Sequence, residues 1–376
     1  MNVFYPKKIY CPICKETSDS ISFISETSGE YYAVSREKDQ YVSEWKWKNS
    51  DWQHINPMLY SITICPVCNY ADFSQSFVKQ NSSLSSNQVR FIKDRVSKLT
   101  GYESRLIAQI AKSYNNDIHS RTHTIASLGL ILAIFYQHSL LTQERVSANY
   151  GLLARLYLRL SWLYREQQDM VEDKSCEDGV DRIISKMMEE LRVFSALNMK
   201  INDFLDSSES EDMQKIKGLV AFLDSGSTQL SKRTEEILSH FNTIKKQSES
   251  EDKIILGNCC TIWQWVPRSE SAAMNQAAEY YQKYCTESQT LSDHVVCQVL
   301  ELVAYLFEKA GNNAERDKAL REIINSCHKQ RVHYMKTMQE DITPSTKAQL
   351  EKKVKQLNTY IEEISYQYKQ KHEEVS

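Results

Sequence analysis

Two cysteine pairs share one pattern in this 376-residue chain, Cys11-Pro12-Ile13-Cys14 and Cys65-Pro66-Val67-Cys68. A Cys-x-x-Cys turn offers two thiolates on one side with backbone N–H groups facing the sulfurs, and tetrahedral zinc takes four such ligands at about 2.3 Å. Cys11, Cys14, Cys65 and Cys68 are therefore expected to hold a single zinc ion. With every position filled by protein, no place remains for water or substrate, so the ion is expected to be structural rather than catalytic. A redox dithiol is the alternative chemistry. Neither pair precedes the apolar helical pattern that a thioredoxin-like unit requires, and a matched second pair has no role there. Asn69, after the second pair, suits a turn with positive φ, whereas Lys15 at the equivalent place suits it less.

Other chemically suggestive residues do not assemble. His119 and His123 are four apart and could share a helix face, but no acidic third ligand stands at helical spacing, so they read as helix-start or surface histidines. Cys327 and His328 point about 100° apart on a helix, and the step of six to His333 misses the three-or-four spacing of neighbours. Cys259-Cys260 reads as buried packing. The chain has only nine glycines, no phosphate loop and no His-Glu-x-x-His. No catalytic residue, organic cofactor or small-molecule substrate is indicated, and the protein is expected not to be an enzyme.

The cysteine pairs need a small β framework. Pro6, Pro12, Pro57 and Pro66 fall in the first seventy residues and the next proline is Pro267, so a long stretch without helix breakers follows. Residues 21–24, 31–34, 41–47 and 59–64 are aromatic and β-branched runs broken by Ser, Gly and Asn, which predicts short strands in the long insertion between the knuckles. Trp45 and Trp47, interleaved with Lys46 and Lys48, could form a stacking platform for single-stranded nucleic acid. Core packing is favoured, because a small zinc domain has little other apolar material. Residues 1–80 carry eight Lys or Arg against nine Asp or Glu, and a tetrathiolate zinc site adds further negative charge.

Residues 80–87 are polar and serine-rich and read as a linker. Beyond them, Ile125, Leu128, Ile131, Leu132 and Phe135, then Leu152, Leu153, Leu156, Leu160 and Leu163, recur at helical spacing. Residues 207–212 and 248–252 read as solvated loops flanking a helix pair outlined by Ile216, Leu219, Leu238 and Phe241. Val295, Val299, Leu302 and Leu306 outline a helix that stops at Ala310-Gly311-Asn312-Asn313 and restarts through Leu320 and Ile323. A last helix starts at Pro344 and places Leu350, Val354, Leu357, Ile361, Ile364 and Tyr368 on one seam, expected to dock on the preceding helix. The expected domains are 1–80, a zinc-ribbon-like unit; 81–200, a first helical unit; and 201–376, further hairpins ending in the heptad-patterned helix.

Ile55-Asn56-Pro57-Met58-Leu59-Tyr60, followed by Cys65-Pro66-Val67-Cys68-Asn69-Tyr70-Ala71 and preceded by Cys-Pro-x-Cys, resembles the bacterial family known as domain of unknown function 2225. Leu156-Tyr157-Leu158-Arg159-Leu160-Ser161-Trp162-Leu163-Tyr164-Arg165-Glu166 is similar to that family's first helical unit, so the likeness spans roughly residues 5 to 170. Asn69 stands where the family usually has glycine. The resemblance implies a bacterial cytoplasmic protein with tetratricopeptide-like helices after the cysteine region, and it supplies no activity.

Net charge is −3 and the pI about 6.3, which gives no global field for a nucleic-acid backbone. The N-terminus lacks the apolar run of a signal peptide, and no stretch reads as a membrane span. The expected fold is α with a small N-terminal zinc-bound β domain and a helical-hairpin, tetratricopeptide-like array. The expected role is a zinc-stapled scaffold or adaptor for a protein partner in the bacterial cytoplasm. The alternative is a nucleic-acid-associated protein that uses the aromatic strand.

Overall fold

The structure, a computed structural model, describes residues 3–24, 28–78, 84–116, 121–141, 148–171, 251–288, 291–340 and 343–373. His119, the loop at 207–212, most of the loop expected at 248–252, the helix pair between them and part of the expected linker lie outside the described residues, while Glu251 and Asp252, expected in that loop, open a helix instead. By compactness the chain groups Met1–Glu166 with Ile255–Ser376 as one unit and Gln167–Ile254 as a second.

Three antiparallel hairpins open the first unit: β1 (Phe4–Tyr10) with β2 (Thr17–Phe23), β3 (Tyr31–Arg36) with β4 (Val42–Trp47), and β5 (Ile62–Ile64) with β6 (Ala71–Phe73). The expected strands lay only between the knuckles; β1 and β6 lie outside that span. Pro6, Lys7 and Lys8 conceal β1 in the sequence, because its middle is solvent-facing and only Phe4 and Ile9 are buried. Pro6 is paired with Ile21 in a hairpin that has no third strand among the described residues, where a missing N–H is tolerated. Trp47 is buried and donates its indole N–H to Ile55 O at 3.0 Å. Tyr31 packs on it at 4.6 Å between ring centroids and on Trp45 at 5.5 Å, while Phe23, Trp52 and Tyr60 complete the cluster. The aromatic faces of this strand are spent largely on one another.

Among the described residues the helices are α1 (Ser86–Ser97), α2 (Gly101–Asn116), α3 (His123–Leu141), α4 (Tyr150–Val171), α5 (Glu251–Ile262), α6 (Glu270–Glu287), α7 (Asp293–Lys309), α8 (Asn313–Thr337) and α9 (Pro344–Glu373). The described chain is mostly helical. A capping box between Ser85 and Gln88 starts α1. α3 is buried on all sides from Ile125 to Gln137, as a helix apolar all round should be. It is long and apolar enough by composition to cross a bilayer, and 78% of that stretch is buried inside the fold. Gly129 of α3 lies under the ring of Tyr114 from α2, where an added Cβ would come within 2.3 Å of Cε2.

Each helix from α6 to α9 packs on the next. Gly311 (φ 77°) ends α7 in a Schellman motif, with Asn312 N donating to Phe307 O at 2.8 Å and Gly311 N to Glu308 O at 3.0 Å. Asn312 then caps α8. α9 docks on α8 through its heptad seam, of which Ile364 is buried and Leu357, Ile361 and Tyr368 are partly so.

Polar anchors tie the β3–β4 turn to α4. Asp39 is fully buried and accepts from Arg165 Nη2 (2.9 Å), Trp162 Nε1 (3.1 Å) and Tyr41 N (3.1 Å). Arg165 also pairs with Glu270 (2.6 Å) and Glu37 (3.2 Å). Next to it, Glu166 accepts from Asn56 Nδ2 (2.8 Å) and the Tyr41 hydroxyl (3.3 Å) and meets His123 Nε2 at 2.5 Å. His123 does begin a helix, as its spacing predicts, but it has a carboxylate partner rather than a bare surface.

Candidate metal centre

The two cysteine pairs occupy equivalent hairpin tips, residues 11–16 between β1 and β2 and residues 65–70 between β5 and β6. In the first tip, Cys11 N donates to Glu16 O (3.0 Å) and Lys15 N to Cys11 O (3.1 Å). In the second, Cys65 N donates to Tyr70 O (2.8 Å) and Asn69 N to Cys65 O (2.9 Å). The residue after each second cysteine turns left-handed, with φ 68° at Lys15 and 60° at Asn69. Lys15 takes this conformation despite its Cβ, at a cost of about 1–2 kcal/mol.

This shared turn aims all four thiols inward. Cys11 Sγ lies 3.5 Å from Cys68 Sγ, Cys14 Sγ lies 3.8 Å from Cys65 Sγ, and all four sulfurs fall within 4.8 Å of one another. Sulfurs bound at about 2.3 Å and at the tetrahedral angle sit about 3.8 Å apart, so the arrangement matches a four-coordinate ion without moving the backbone. Cys11 and Cys65 are buried, and Cys14 and Cys68 are half-buried. The structure thus brings together the four residues singled out by spacing, and they could hold a metal ion.

Electrostatics point the same way. The contact with Cys65 is the main influence pushing the Cys11 thiol up, and the reciprocal contact with Cys11 pulls Cys65 down. Cys68 is drawn down by Cys11, but Cys65 and burial outweigh this and raise it to about 12. Four thiols this close cannot all ionise unless a cation stands among them. Backbone N–H groups are already aimed at the sulfurs, including Ile13 N to Cys11 Sγ at 3.4 Å. An all-sulfur donor set suits a soft or borderline ion.

Sequence reasoning did not foresee the wall behind the sulfurs. Tyr136 of α3 packs on Tyr70 at 5.1 Å between centroids. Tyr70 is fully buried and donates to buried Asp72 at 2.9 Å. The buried Tyr136 hydroxyl has no hydrogen-bond partner among the described residues. Burial first, and then Cys68, Cys11 and Cys65, push its pKa up, so the phenol stays protonated beside the cluster. A lone phenol in the apolar run of α3 was the available signal.

The remaining suggestive residues do not join this centre. Cys259 is buried, as packing predicts. Cys327 faces Cys297 of α7 at 3.7 Å, not His328 or His333.

Comparison with known proteins places the centre in context. Residues 4–266 match the model of a family described as uncharacterized proteins conserved in bacteria (DUF2225). A protein of Borreliella burgdorferi, titled uncharacterized protein, is 25% identical over 182 residues, which cover 46% of this chain and 57% of that relative. The chain thus spans little more than half the length of the curated relative it matches. No solved structure matches it.

Proposed function

The chain belongs to the bacterial family DUF2225, whose model covers residues 4–266, and from that premise and its cysteine cluster we propose a non-enzymatic, zinc-stapled scaffold or adaptor that binds a protein partner in the cytoplasm. The observation that carries this reading is the closure of the cluster. Four sulfurs within 4.8 Å leave no open coordination position, so an ion there fixes geometry and performs no Lewis-acid step. Zinc suits such a set, being tetrahedral, redox-inert and tolerant of four thiolates. The ion joins two hairpin tips that are distant in sequence, and hydrogen bonds from Tyr114 and Arg121 to the backbone of Ile62 and Leu59 tie the same region to the helices. A tetratricopeptide-like use of α6 to α9, with successive helices presenting one face, is the part of the proposal that would meet the partner.

The test has two arms. Elemental analysis of protein purified without added metal should find zinc, and Cys65→Ser should lower the count by one ion per chain while far-UV circular dichroism keeps its helical signal. Affinity purification from a native host should then recover a defined protein with the wild type and lose it with Cys65→Ser. Absence of metal from the wild type refutes the staple; nucleic acid as the sole partner, lost on Trp45→Ala, refutes the scaffold.

A further inference from the structure

A cavity of about 550 Å³ lies between α7, α8 and α9, well apart in sequence from the hairpin tips. Two buried thiols line it. Cys297 of α7 and Cys327 of α8 bring their sulfurs to 3.7 Å, and Gln330 donates its amide N–H to Cys297 Sγ at 3.6 Å. His294 lies three residues before Cys297, hence on the same face of α7, and is exposed at the cavity rim. Glu301, one turn further on, is engaged by the Tyr360 hydroxyl of α9.

We propose that His294, Cys297 and Cys327 form a second cation site, for zinc or a comparable borderline divalent ion, with its remaining coordination position open to the cavity. Three features carry this. The 3.7 Å separation equals that of two sulfurs bound to one ion at the tetrahedral angle, about 3.8 Å, and facing helices hold both sulfurs in place. An imidazole, a common partner of thiolates at zinc, stands one turn away on the same helix face at the exposed rim, and it must turn inward to ligate. The void beside the sulfurs leaves room for a water or a small ligand as the fourth donor, unlike the closed cluster at the hairpin tips.

Packing alone explains a thiol–thiol contact, but it explains neither the void nor the histidine at its rim. Uptake of the ion converts both thiols to thiolates and releases two protons to solvent. Three protein ligands with one open position is also the coordination in which a bound ion polarises a ligand, so this site, unlike the first, could recruit a small anionic or carbonyl-bearing molecule.

The test uses full-length protein kept reduced and dialysed against Zn²⁺, with bound ions counted per chain. Wild type should bind one more ion than Cys297→Ser, whereas Cys260→Ser should match wild type. Cys65→Ser should lose the hairpin-tip ion and keep this one, so failure at one site is distinguishable from failure at the other. His294→Gln alters an exposed side chain and leaves the fold intact; it should weaken the second ion at least about tenfold. In Co²⁺-loaded Cys65→Ser protein, a thiolate-to-cobalt charge-transfer band should persist and disappear with Cys297→Ser added. Equal ion counts in wild type and Cys297→Ser, together with unchanged affinity in His294→Gln, would overturn the proposal.

Discussion

Gly129→Ala is expected to destabilise the protein although alanine is the better helix former. Gly129 sits mid-helix in α3, where alanine would ordinarily gain about 1 kcal/mol. Here the new Cβ meets Tyr114 Cε2 at 2.3 Å, Cδ2 at 2.7 Å and Cζ at 3.1 Å. The ring has little freedom to retreat. Its hydroxyl donates to Ile62 O at 2.6 Å and accepts from Arg121 Nη1 at 3.1 Å, and the Arg121 guanidinium covers its face at 3.8 Å. Overpacking costs about 1–3 kcal/mol, and breaking the Tyr114–Ile62 hydrogen bond adds about 1 kcal/mol. Set against the propensity gain, the net loss is about 1–3 kcal/mol. Urea unfolding followed by circular dichroism measures it. Because Ile62 begins β5, which leads into Cys65, the variant should also release its hairpin-tip metal faster to a chelator. Tyr114→Leu removes the colliding ring, so Gly129→Ala should cost much less in that background, with a coupling of about 1 kcal/mol or more. A Gly129→Ala protein as stable as wild type, or a double mutant showing no coupling, would refute the reasoning.

Other perturbations have equally definite signs. Arg165→Ala strands Asp39, which is fully buried, and should cost about 3–5 kcal/mol; Asp39→Asn in that background should recover part of the loss. His138 Nε2 lies within hydrogen-bond distance of the Tyr157 (2.7 Å) and Tyr280 (3.2 Å) hydroxyls and the ring stacks on Trp265, and burial lowers its pKa to about 4. The unfolded chain, near 6.5, binds the proton first, so stability should hold above pH 6.5 and fall by up to about 3 kcal/mol as pH drops toward 4. His138→Gln should flatten that slope in denaturation curves recorded from pH 7 to 4. With the proposed zinc at the hairpin tips, a chelator should lower the unfolding midpoint and change tryptophan fluorescence, and excess Zn²⁺ should restore both, since such an ion binds only the folded arrangement.

The cluster was legible because paired Cys-Pro-x-Cys turns dictate their own local geometry. The restart of the chain at Gly311 and Asn312 was legible for a similar reason: a left-handed residue followed by a capping side chain is a purely local signal. β1 and β6 were not. A strand built of Phe-Tyr-Pro-Lys-Lys-Ile-Tyr shows no alternation of burial, and a three-residue strand is defined by its partner. The anchors at Asp39, Arg165 and Glu166 escaped notice because they join residues more than a hundred positions apart. Trp45 and Trp47 posed a choice that composition could only weigh. Packing against Tyr31 and Ile55 sends Trp47 inward.

The long reach of the Asp39 anchor sets a schedule for biosynthesis. Its guanidinium partner lies 126 residues downstream, so at about 5–20 residues per second the ribosome needs roughly 6–25 s to deliver it. The β3–β4 turn therefore emerges with an acidic side chain destined for the interior and nothing to neutralise it. Until α4 clears the exit tunnel the turn must stay hydrated, leaving the nascent N-terminal region open to chaperones and proteases through that interval.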